Sequence, residues 1–110
     1  MVFKGTPGPW TITDSGGSIM DSDQFIIATF RRMAILCGWH EKGFEHYSDE
    51  GASKDIGTIA AKANANLIAA APELLEQLIR LRDIIANYLP EDDDHLDVVD
   101  AAINKALGRG

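Results

Sequence analysis

N-A-N-L-I-A-A-A-P-E-L-L-E-Q-L-I-R-L-R-D-I-I-A-N-Y, residues 64–88, decides the fold of this 110-residue chain. Its pivot is Pro72. A proline pushes the preceding residue away from helical geometry, yet fits the first turn of a new helix, where its missing N–H has no partner to lose. The reading is therefore two helices with a break at Ala71, and with Glu73 and Glu76 in the first turn of the second, facing the positive end of its dipole. Within that second helix Leu74, Leu78, Leu81, Ile85 and Tyr88 recur at steps of four, three, four and three, the spacing of a coiled-coil seam. Leu75, Ile79, Ala86 and Leu89 form a second stripe beside it, leaving Gln77, Arg80, Asp83 and Asn87 as a narrow polar strip. So much apolar surface exceeds what one neighbouring layer covers. One stripe is expected to face the chain's own core. The other, Leu74, Leu78, Leu81, Ile85 and Tyr88, is expected to meet a third helix or a second copy, which makes a homo-oligomer, and first of all a dimer, the expected state.

On the N-terminal side, G-T-P-G-P at residues 5–9 cannot be helical and leads into Trp10. Trp10, Ile12 and Asp14 then alternate with threonines as in a half-buried strand, and Ser15-Gly16-Gly17 makes a turn. A short strand at 18–21 and a turn at 22–24 follow. Phe25-Ile26-Ile27-Ala28-Thr29-Phe30 is a run of strand formers apolar on both faces, which suggests a central strand covered on each side. Residues 33–37 suit either a fourth strand or a short helix. Residues 38–52 mix aromatics, histidines and acids without a period and form a loop long enough for a functional role. Ser53 suits a helix N-cap, with Asp55 in the first turn and Ile56, Ile59, Ala60, Ala63, Leu67 and Ile68 on one face. Beyond Pro90, Leu96, Val99, Ala102, Ile103, Ala106 and Leu107 stripe a last helix, ended by Gly108 with Lys105 and Arg109 at its negative pole. Strands followed by helices define an α+β class: one domain over 1–110, with a small antiparallel meander of three to four strands (5–37), the loop (38–52), and two to three helices packed on the sheet (53–108).

Charge narrows the function. Seventeen acidic against ten basic side chains give a net charge of −7, which argues against direct binding to nucleic acid or an anionic membrane and favours a basic protein partner. A single cysteine, Cys37, precludes an internal disulfide and agrees with a reducing compartment. Neither a signal-peptide core nor a stretch of ~20 apolar residues is present, so a cytoplasmic protein is expected.

Candidate chemistry is sparse. Cys37, His40 and His46 lie among Glu41, Glu45, Asp49 and Glu50, all of types that zinc accepts, but the tight spacing of paired zinc hooks is missing. The simpler reading is a buried thiol beside a polar loop. A Cys37–His40 nucleophile and base lacks any orienting group or oxyanion hole, so neither an enzyme nor a metal or other cofactor is expected. Trp10, Phe25, Phe30 and Trp39 read as core residues. Arg31, Arg32, Arg80 and Arg82 are the best donors for an anion, because guanidinium grips phosphate through two parallel hydrogen bonds. They support the alternative of an oligomer that sequesters a nucleotide-like ligand. Glu91, Asp92, Asp93, Asp94, Asp97 and Asp100 crowd acidic charge into ten residues: a solvated helix start, or a contact surface for a basic partner.

Two segments carry a resemblance. T-P-G-P-W at residues 6–10, followed by Ile27-Ala28, and N-A-N-L-I-A-A-A-P-E-L-L-E at 64–76 together resemble a group of small proteins from tailed bacteriophages and prophages. The resemblance implies an accessory protein expressed in the bacterial cytoplasm, of a kind often devoted to host takeover or anti-defence. It carries no activity and no site residues. The expected function is protein–protein interaction, with an acidic surface occupying a basic site on a host protein.

Overall fold

The computed structural model of the chain describes residues 3–30, 34–89, 91 and 93–109, and of residue 93 the backbone only. Arg31, Arg32 and Asp92, and the Asp93 side chain, lie outside that description.

Thr11–Ile12 (β1), Ser18–Met20 (β2) and Ile26–Thr29 (β3) form an antiparallel meander in the order β1-β2-β3. Ile19 pairs with Ile12 on one side and Ala28 on the other, and a bulge shifts the β2–β3 register so that Met20 faces Ile26. The turn between these strands is organised by Asp21, whose Oδ1 accepts the backbone N–H groups of Asp23 and Phe25, both at 2.9 Å. Gln24 takes φ +69° to complete it. Ile35–Cys37 (β4) does not extend this sheet. It pairs antiparallel with Ser53–Asp55 (β5) in a separate two-stranded ladder that closes the loop of residues 38–52.

Three helices follow: Gly57–Ala69 (α1), Ala71–Tyr88 (α2) and Asp93–Ala106 (α3). The α+β class expected from the order of elements is the one found. The proline restart is present, displaced by one residue: Ala70, still in the right-handed helical region at φ −83° and ψ −4°, is the junction, and Ala71 already belongs to α2. α1 starts later than Ser53 suggests, because Ser53 and Asp55 are used by β5. Asp55 still serves the helix, its Oδ1 accepting the Gly57 N–H at 2.8 Å.

α1 lies against β1, and α2 lies between α1 and α3. The α1 face that is buried carries Ala61 and Ala65 rather than the larger side chains, because alanine lets a helix come close; Ile59 and Leu67 are left outside. Among the described residues Ile19 on the central strand, Ala52 at the end of the loop, and Leu96 and Ile103 on α3 are the other buried apolar residues. β3 is thus an edge strand and not a central one. With β4 gone to its own ladder no described strand pairs with its outer side, and Phe25 is 71% exposed. Trp10, Phe30 and Trp39 are half-buried, Trp10 meeting Phe3, Trp39 meeting His40, and Phe30 lying over the Ala61–Ala65 face of α1.

The chain is extended. Its radius of gyration is 17.8 Å, against about 13 Å for a compact domain of this length. Its accessible surface is 8183 Å², against about 6,000 Å² for a compact monomer of this mass.

Candidate functional site

α2 has no fully buried residue. At 100° per residue, Leu75, Leu78, Ile79, Arg82, Ile85 and Ala86 occupy one arc, and all are half-buried against the rest of the chain. Leu74, Leu81, Ile84 and Tyr88 occupy the adjoining arc and stay open, Leu81 at 50% and Tyr88 at 80% exposure. The five-residue seam read from the sequence is therefore divided. Leu78 and Ile85 turn towards the chain, Leu74, Leu81 and Tyr88 turn outwards, and Ile84 joins them. Ile84 was hidden by the choice of heptad register, which placed it on neither stripe.

Arg82 and Asp100 lock α2 to α3. Arg82 Nε donates to Asp100 Oδ1 at 2.8 Å and Nη2 to Oδ2 at 3.1 Å, with both side chains about a quarter exposed. The hydrogen bonds and the adjacent positive charge hold the Asp100 carboxyl below its ordinary value, against an opposing effect of partial desolvation. The same hydrogen bond and the Asp100 charge raise the Arg82 guanidinium. One candidate anion donor and one candidate of the acidic surface are thus taken up by each other. Arg80 is exposed and makes no ion pair among the described residues. Glu91, Asp94 and Asp97 are exposed and hold the acidic surface at the start of α3.

A cleft of about 560 Å³ lies on the far side of α2 from the exposed arc. Its walls are Phe3, Pro7 and Pro9 from an N-terminal strap, residues 3–9, and Pro72, Leu75 and Ile79 from α2, with Glu73 and Glu76 also lining it. The strap holds its own shape. The Phe3 and Trp10 rings meet edge to face with centroids 6.5 Å apart, Trp10 Nε1 donates to the Thr6 carbonyl at 3.1 Å, and a side chain at Gly5 would run into the Phe3 ring. Gly8 sits so close to α2 that an added Cβ would lie 2.9 Å from Pro72 Cβ and 3.2 Å from Glu73 Oε1. The two segments that carry the phage resemblance, distant in sequence, are in contact here. Sequence reasoning missed the cleft, although the run Gly5, Pro7, Gly8 and Pro9 opposite Pro72 was its one signal.

Cys37 is exposed at the end of β4, not buried. His40 stacks on Trp39 with ring centroids 3.4 Å apart, while His46 Nδ1 lies 2.6 Å from Ser48 Oγ. Cys37, His40 and His46 do not converge, and no group of three metal-ligating side chains exists among the described residues. No described helix is long and apolar enough to cross a membrane.

Fold and surface together define a small α+β protein with an open helical face on α2. A family model described as Salmonella phage P22 protein Y8K6 matches residues 1–110, and the chain belongs to that family. No curated protein and no solved structure matches it.

Proposed function

We propose that the chain is a phage accessory protein that works by protein–protein contact: two copies join through the exposed arc of α2, and the acidic start of α3 occupies a basic surface of a host protein, a mode suited to inhibiting a host or defence factor in the bacterial cytoplasm. The observation that supports this best is the surplus surface. About 2,000 Å² per chain beyond a compact monomer, taken over two copies, falls in the range of obligate dimer interfaces.

Magnitude decides how much of the surface has to take part. Burying the exposed parts of Leu74, Leu81, Ile84 and Tyr88 on both copies gains on the order of 8–12 kcal/mol, comparable with the ~4–15 kcal/mol that association costs. Those four side chains alone would dimerise weakly. Leu89, at the end of α2, and Leu67 and Ile68, at the end of α1, are exposed as well and have to be covered with them. The nucleotide-binding alternative is less well supported, because Arg82 already holds a carboxylate.

Light scattering on the eluting protein tests the first half. The native chain should elute as a dimer, and the Leu74→Asp/Leu81→Asp variant as a folded monomer; an unchanged mass in the variant would move the interface elsewhere. Capture from host lysate tests the second half. Glu91→Lys/Asp94→Lys/Asp97→Lys should lose a salt-sensitive partner that the native chain retains, and equal retention by both would remove the acidic surface from the mechanism.

A further inference from the structure

We infer that the cleft between the N-terminal strap and α2 is a binding site for an organic cation with an apolar body, whose ammonium or guanidinium group meets Glu73 and Glu76. Three observations carry it. The volume, about 560 Å³, lies within the range of small-molecule sites. The walls are apolar and stiff, with Pro7, Pro9 and Pro72 between the Phe3 ring and the aliphatic side chains of Leu75 and Ile79. The carboxylates are available: neither Glu73 nor Glu76 forms an ion pair among the described residues, and Glu73 Oε1 is placed over the Gly8 backbone at the contact between strap and helix.

Sign follows from magnitude. The start of a helix carries roughly half a positive charge and favours anions, but two full carboxylates in the same turns outweigh it. Glu73 and Glu76 are the charged side chains that line the cleft among the described residues, so an anion of the same shape is disfavoured there. Leu75 and Ile79 lie more than about 90° around α2 from Leu74, Leu81 and Tyr88. The cleft is therefore separate from the proposed dimer face, and failure of one proposal leaves the other standing.

The test uses matched probes on the native, isotope-labelled protein. 4-Phenylbutylamine, protonated at neutral pH, should perturb the amide resonances of residues 3–9 and 72–79 and bind about tenfold or more tightly than 4-phenylbutyrate, which has the same body and the opposite charge. Glu73→Gln/Glu76→Gln should bring the two affinities within about twofold while melting like the native chain. Two sources present this chemistry, a free amine and an arginine within a protein segment. A blocked Leu-Arg-Leu peptide binding more tightly than the amine would point to the segment, and the reverse order to a small molecule. Equal affinities for amine and acid on the native protein, perturbations confined to other residues, or no response because a second copy already fills the cleft would each overturn the proposal.

Discussion

Gly8→Ala should loosen the N-terminal strap from α2. The added Cβ would sit 2.9 Å from Pro72 Cβ, well inside an ordinary carbon–carbon contact of about 3.5–4.0 Å. Pro72 cannot yield by rotating a side chain, since its ring is closed onto the backbone of the first turn of α2. Either the strap moves out by somewhat under an ångström or the helix start is displaced, and overpacking of that kind costs about 1–3 kcal/mol. At about 4 °C per kcal/mol for a domain of this size, the melting midpoint should fall by roughly 4–12 °C at fixed protein concentration. Trp10, tied to the strap through Thr6 and Phe3, should report the same event as a red shift of its emission. Gly17→Ala is the control, because its Cβ would meet nothing closer than Ser15 Oγ at 3.6 Å. A Gly8→Ala protein that melts and fluoresces like the native chain, with the control equally silent, would show that the strap does not bear on α2 and that the cleft between them is not a fixed feature.

Other consequences are independent of that one. Ile103 is fully buried on α3, so Ile103→Ala should cost about 2–5 kcal/mol in chemical denaturation. Val98, 71% exposed on the same helix, should tolerate alanine within about 0.5 kcal/mol. The Arg82–Asp100 pair should give acid-sensitive stability. Since the folded-state carboxyl is depressed, its contribution is complete above the ordinary aspartate value and disappears as pH falls through the depressed one. The gap in denaturation midpoint between the native chain and Asp100→Asn should therefore be constant at neutral pH and close in acid; a gap that persists at low pH would mean that the asparagine acts through something other than the charge. Cys37 is exposed and should react with a thiol reagent in the native state as fast as in denaturant, whereas protection of it would place it in a contact.

The long helix was legible in the sequence because a proline at the start and an uninterrupted apolar period leave few alternatives. Its junction was misjudged by one residue, since proline fits more than one position of a first turn. β5 could not be read. Ser53, Lys54 and Asp55 carry no strand pattern, and the ladder exists through pairing with β4 across a loop. The same pairing explains why Phe25 and Ile26 lie at an edge instead of inside: the fourth strand that would have covered them goes elsewhere. In α1 the bulky residues suggested the buried face, but close packing selected Ala61 and Ala65. The candidate site was half legible. Leu74, Leu81 and Tyr88 are exposed while Leu78 and Ile85 are half-buried, and the Arg82–Asp100 contact between α2 and α3 had no signature in either residue alone.

The central claim is that α2 meets a second copy. Sedimentation of the native chain across micromolar concentrations tests it most directly. The expected result is a mass of twice 12.0 kDa that dissociates only on dilution. A single species of 12.0 kDa at every concentration would contradict it and leave the open helical face without its proposed occupant.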